Sequence, residues 1–205
     1  LDAVEHLQII SIELDADDDA QLIFESLNST GLALTEADKI RNYLLMSLTT
    51  EEQQFCFKNY WQKIESATEN NPTKFLRDYL TIKQQLQRPV RLSNIYFEWK
   101  KYMDGRDRKQ EMEEMLDYAH YYQQVTEAQL ETSKLSAKMR HICNIESDVT
   151  NVFFIQFLKY AAKNILSYDE IDKVIDVVEN YLARRIICNM PGNALTQVFC
   201  ALHKD

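Results

Sequence analysis

Glycine and proline are scarce in this sequence of 205 residues, with three of each. Sandwiches and barrels need many such residues at their turns, so the shortage argues for helices. Cys56, Cys143, Cys188 and Cys200 form no CxxC pair, and free thiols in a reducing cytoplasm are the expectation. Positive charge is in deficit: the formal net charge is −9, which speaks against general polyanion binding while leaving a local basic face open. No apolar run approaches the roughly 18 residues of a membrane span, and the N-terminus has no signal-peptide layout. The P-loop, GxSxG and HExxH motifs are all missing. The chain reads as soluble and cytoplasmic, without a membrane partner.

What is present is an ordinary globular balance, 45% apolar and 27% charged, in a chain long enough to bury a sizeable core. His6 to Leu14 reads as a strand, because Ile10, Ile12 and Leu14 alternate with Ser11 and Glu13. No second strand is legible. Its partners are expected from residues outside this sequence or from another copy, since a lone strand leaves backbone groups unpaired. A start at Leu1 favours the first option and a piece cut from something longer.

Beyond the strand the period becomes 3.6. A helix is expected from about Asp18 to Asn28, with Gly31 just past its end. Thr35 opens the next, where Thr35-x-x-Asp38 is a capping-box variant and Ile40, Tyr43, Leu44 and Leu48 face inward. Further helices are expected at about 50–67, 73–86, 93–103, 107–126, 134–145, 147–166, 168–188 and 193–202. In the penultimate one, Ile171, Val174, Ile175, Val178, Tyr181 and Leu182 make one stripe. Val149 to Leu166 is apolar nearly all round and belongs in the middle of a bundle. The fold class is therefore mainly α, a multi-helix bundle with one N-terminal β-strand left over from a truncated α/β domain.

Few constellations carry chemistry. The run Asp15, Asp17, Asp18, Asp19 fails as an EF-hand, because Ala20 stands where glycine is needed and Ser26 where a bidentate glutamate is needed. Acidic capping of a helix start explains it. His141 with Cys143, and Cys188 with Cys200 and His203, lack the tight spacing of structural zinc sites. Basic residues cluster at Lys100–Lys101, Arg106 with Arg108–Lys109, Lys138 with Arg140, and Arg184–Arg185, the first two near Tyr96, Trp99 and Tyr102. Aromatics beside cations can grip a nucleic-acid strand, but Asp104, Asp107, Glu111, Glu113 and Glu114 blunt that field. The turn Asn28-Ser29-Thr30-Gly31 offers hydroxyl and amide groups near a helix start, where an anion such as phosphate can bind. A C-cap followed by an N-cap also explains all four residues.

The stretch Leu22 to Asn42, IFESLNSTGLALTEADKIRN after its first residue, resembles the IFExLNxTGxxLxxxDxI(K/R)N signature of GmrSD-type restriction proteins. Tyr181 to Leu195, with Arg184, Arg185, Cys188, Pro191 and Ala194, is similar to the YLxRRxxCxxPxxAL segment that precedes that family's HNH nuclease domain. The resemblance implies residues 1–48 as the end of a ParB/sulfiredoxin-like domain and 49–205 as a central helical domain. It places the DGQQR motif for nucleotide chemistry before Leu1 and the HNH motif after Asp205; neither occurs here. It also implies that Asn28, Ser29, Thr30, Gly31, Asp38 and Arg41 border a nucleotide site, and that Arg184 and Arg185 serve a domain junction or DNA.

The leading expectation is thus a non-catalytic piece of a nucleotide-dependent DNA restriction protein. It needs no cofactor itself, while the full protein uses a nucleoside triphosphate and Mg²⁺. Its expected partners are the missing N- and C-terminal domains, a second copy as homodimer, and DNA through the parent protein. The alternatives are a nucleotide or nucleic-acid hydrolase acting through a shared dimer site, and a generic helical protein-interaction module.

Overall fold

The structure is a computed structural model that describes residues 34–46, 48–69, 71–145, 148–163 and 166–202. The expected strand, the helix at 18–28 and the Asn28–Gly31 turn lie outside the described residues. The chain forms two compact units, Leu1–Leu34 and Thr35–Asp205. Among the described residues there is no strand, and the second unit is a helical bundle.

Its elements are α1 (Glu36–Met46), α2 (50–67), α3 (Pro72–Lys83), α4 (Ile95–Met103), α5 (Arg108–Thr126), α6 (Ser133–Ile145), α7 (Asn151–Ala162), α8 (Tyr168–Ile187) and α9 (Leu195–Leu202). Short 3₁₀ turns, Leu92–Asn94 and Gly192–Ala194, lead into α4 and α9. The expected helix at 147–166 is shorter at its start, because Asp148 to Thr150 form a turn before Asn151. α2 is one continuous rod with a π-helical stretch, Phe57–Trp61, between Thr50–Cys56 and Gln62–Ala67.

Local chemistry sets these boundaries. Thr49 with Glu52, and Ser167 with Glu170, form reciprocal capping boxes at the starts of α2 and α8. Asp107 caps α5 by accepting from the Gln110 N–H at 2.7 Å, and Pro72 occupies the first turn of α3. With glycine scarce, helices stop on other residues in the left-handed region: Glu69, Gln85, Ala128 and Asn189, with φ near +50°. After three of them the chain closes the same loop, Leu86 N–H to Thr81, Gln129 N–H to Gln124 and Met190 N–H to Arg185. Each such residue costs about 1 kcal/mol relative to glycine.

α3, α5 and α7 form the centre. α3 packs on α1, α4, α5 and α7; α5 packs on α2, α3 and α7; α9 packs on α7. α7 buries Val152, Phe154, Ile155, Phe157 and Leu158, as its all-round apolar sequence requires. α8 buries Ile171, Ile175, Val178 and Leu182 against the bundle, with Val174 partly buried and Tyr181 at the rim. α6 and α8 run parallel, since their ion pairs climb together: Lys134 and Lys138 meet Asp172, Lys138 meets Asp176, and His141 meets Glu179. Lys138 is thus part of a paired face. No helix among the described residues is long and apolar enough to cross a membrane.

The core is not purely apolar. Glu111 of α5, 5% exposed, accepts on one oxygen from Tyr79 of α3 at 2.5 Å and Tyr102 of α4 at 2.6 Å. Burial, reinforced by Glu111, pushes both phenols far above their usual range, so they stay protonated donors. Beside them Lys83 pairs with Glu114 at 2.6 Å, and Lys159 donates to the Tyr118 hydroxyl at 2.5 Å. Removing the shared acceptor strands two buried hydroxyls, each at a cost of about 1–3 kcal/mol. Glu111→Ala is therefore expected to lower the unfolding free energy by roughly 3 kcal/mol in a urea titration. Glu111→Gln keeps a carbonyl acceptor and loses much less; equal losses in both variants contradict the role given to the shared oxygen.

Candidate functional site

α1 carries the described part of the segment resembling the family signature, and polar contacts hold it at both ends. At its start the Thr35 N–H and hydroxyl both donate to Asp38 Oδ2, at 3.1 and 2.6 Å, while the Asp38 N–H returns a bond to Thr35 Oγ1 at 3.1 Å. The expected capping box is formed, with aspartate doing the work usual for glutamate. Glu36 accepts from the Tyr96 N–H at 3.1 Å, so it satisfies a free donor in the first turn of α4. At the other end Arg108 donates to the Tyr43 carbonyl at 2.9 Å and lays its guanidinium 4.5 Å from the Tyr43 ring.

Arg41 links this helix to α2. Its guanidinium lies 3.1 Å from Asp38 and 3.4 Å from Glu65, and the same Glu65 oxygen accepts from Trp61 Nε1 at 2.6 Å. Trp61 closes the π-helical stretch and is fully buried. The Trp61 ring N–H thus holds the carboxylate that Arg41 meets. Arg41 is 27% exposed, so each ion pair contributes no more than about 1 kcal/mol. The buried apolar contacts of Ala37, Ile40 and Leu44 carry most of the docking. Of the phosphate and acidic partners open to Arg41, it meets two carboxylates of its own chain. Asn28, Ser29, Thr30 and Gly31 lie outside the described residues.

Arg184 and Arg185 occupy the last turn of α8. Arg184 is exposed. Arg185 donates to the Tyr181 hydroxyl at 3.3 Å and to the Pro191 carbonyl, latching the loop that leaves the helix. The two arginines therefore differ: one is free to meet a partner by its exposure, the other braces the chain. Tyr96, Trp99 and Tyr102, the rings near the other basic clusters, are buried in the core and cannot offer faces to bases.

A cleft of about 470 Å³ opens between α5, α6, α7 and the start of α8, with Tyr121, Leu135, Leu158, Ala161 and Tyr168 among its walls. Glu131 is the charged side chain of its lining, which contains no lysine or arginine among the described residues. At the start of α8 the N–H groups of Ser167 and Glu170 are already met by the capping box. That chemistry does not suit a phosphate. Among the described residues no group of three or more histidine, cysteine, aspartate or glutamate side chains is placed to hold a metal ion.

Asp78 is the described carboxylate most out of place. It is 1% exposed, with Arg77 on one oxygen at 2.8 Å and the Asn151 side chain as its other polar neighbour. Burial pushes its pKa up to about 6, against the pull of Arg77 and of a side-chain hydrogen bond from Asn151, with Asp148 adding to the rise. Sequence reasoning passed over it, although the signal was there: Asp78 shares the face of Phe75, Tyr79 and Ile82 on α3. Glu111 was open to the same reading, one turn before Met115 and two before Tyr118.

No protein-family model, curated protein or solved structure matches the chain.

The raised pKa of Asp78 has a definite sign. The folded state holds this proton more tightly than the unfolded chain, so the contribution to stability is complete below about pH 4 and is lost as pH rises through about 6. A displacement of that size corresponds to roughly 3 kcal/mol. Glu52, Glu114 and Glu170 are shifted downward and act in the opposite sense. Urea midpoints of the parent and of Asp78→Asn across pH 4–8 isolate the one group. The variant is expected to gain stability relative to the parent through this window; a constant difference at every pH contradicts the burial of an ionised Asp78.

Proposed function

We propose that this chain is an architectural module of a nucleotide-dependent DNA restriction protein of the GmrSD type, a helical bundle that spaces a nucleotide-responsive domain from a nuclease domain. The two matched segments and their order are the sequence basis. The observation that carries the reading is the docking of α1, whose core residues, Glu36 and Arg41 all join the bundle. A change at the turn would then act on a lever rather than on a slack linker. At the far end, Arg185 and the left-handed Asn189 fix the chain's exit from α8.

Coupling of this kind requires two states that nucleotide and DNA bias differently. It is tested in the full-length parent protein by DNA cleavage with and without nucleoside triphosphate and Mg²⁺. Nucleotide should stimulate cleavage, and Glu65→Ala, which frees Arg41 from α2, should reduce the stimulation more than it reduces nucleotide turnover. Cleavage indifferent to added nucleotide removes the coupling role.

A second reading, a protein-interaction module, is favoured by one surface. Ile186 and Ile187 at the end of α8, and Met190 just beyond it, are 58%, 82% and 55% exposed. Exposed apolar side chains grouped in this way mark contact surfaces. Under that reading the chain binds a protein partner there whether or not nucleotide is present.

A further inference from the structure

α6 and α8 meet along two rows of side chains with the alternating spacing of a helix–helix seam. On α6 the row is Lys134, Lys138, His141 and Ile145; on α8 it is Asp172, Asp176, Glu179 and Ala183. Lys134 meets Asp172 and His141 meets Glu179, in each case the residue 38 positions further on. In that register Ile145, where α6 ends, comes level with Ala183. α8 continues to Ile187, so its last turn overhangs its neighbour. The next places in the row are Ile186 and Ile187, with Met190 just past the helix, and all three are exposed. The overhang thus offers one further turn of a helix–helix contact, a surface that another helix fits.

Charge narrows the partner. From Asn180 to Leu202 the sequence has no aspartate or glutamate, although the chain as a whole carries −9. Arg184, exposed and one turn before Ile187, is in no ion pair with a described residue. Arg185 is turned away, to the Tyr181 hydroxyl and the Pro191 carbonyl. A free cation beside two exposed isoleucines suits a helix with one apolar stripe flanked by carboxylates. A second copy suits it less, because a two-fold contact between overhangs brings the two sets of arginines together.

We propose that the overhang of α8, with Ile186, Ile187 and Met190 as its apolar floor and Arg184 at its edge, receives an acidic amphipathic helix of a partner protein, seated end-on to α6. The proposal deepens the interaction-module reading and rests on it; the restriction reading is not involved.

Two synthetic helical peptides with the same leucine stripe, one flanked by glutamates and the other by lysines, test it by fluorescence-anisotropy titration against the whole chain. The glutamate peptide should bind saturably, and the lysine peptide roughly tenfold more weakly or not at all. Ile187→Asp, a surface change with little effect on Tm, should abolish binding. Arg184→Glu should reverse the preference in favour of the lysine peptide. Binding of neither peptide, or of both alike, overturns the proposal, and so does a preference that Arg184→Glu leaves unmoved. Glutamate-peptide binding undiminished in Ile187→Asp overturns this face while leaving the interaction-module reading in place. Sedimentation velocity of the chain alone should show a monomer, or a dimer that Ile187→Asp leaves intact. A dimer dissolved by Ile187→Asp gives the face to a second copy and overturns the proposal.

Discussion

One carboxylate oxygen, on Glu111, joins three helices by accepting the hydroxyls of Tyr79 and Tyr102. Around it sit Trp99, stacked at a tilt 5.8 Å from Tyr79, and Tyr118, edge-on to Tyr79 at 5.1 Å. A directional bond in a close-packed core does what apolar contact alone does not: it fixes the rotation of α3, α4 and α5 about their own axes. α1 lies against α3 and α4, so the surface that receives it is set by this node. The node makes the core specific at the expense of some tolerance, because a buried acceptor cannot be removed without stranding its donors.

From that platform the argument runs outward to function. α1 docks through Ala37, Ile40 and Leu44, and the polar contacts of Glu36, Arg41 and Tyr43 select one register on the surface. The described residues of the segment resembling the family signature therefore form a packed helix. The same bundle has a less comfortable corner at Asp78, where burial raises the proton affinity of a carboxylate. The bundle thus combines a well-determined centre with a polar joint beneath its last helix.

Much of this was legible in the sequence, for identifiable reasons. The capping pairs Thr35–Asp38 and Ser167–Glu170 are local, and the inward stripe of α8 is periodic, so neither needs tertiary knowledge. The central position of α7 followed from its lack of a polar face. Other features depend on residues far apart in the chain. Glu111 is 32 residues from Tyr79 and Arg41 is 24 from Glu65; no spacing rule pairs them. The basic stretches near Tyr96 and Trp99 read as a surface because sequence alone does not say which way a ring turns, and these turn inward. Scarce glycine signalled helices but hid their ends, which fall on Gln85, Ala128 and Asn189 in a conformation glycine usually adopts.

The account rests on α1 being mechanically part of the bundle, and native-state hydrogen exchange reads this directly. The amides of Ile40 and Leu44 in α1 are to be compared with those of Leu80 in α3 and Phe154 in α7, all fully buried. If α1 belongs to the cooperative unit, all four open in one event, with the same free energy and the same dependence on denaturant. Exchange of the α1 amides at much lower free energy, with little denaturant dependence while Leu80 and Phe154 stay closed, would show a helix that merely rests on the bundle, and would contradict the lever.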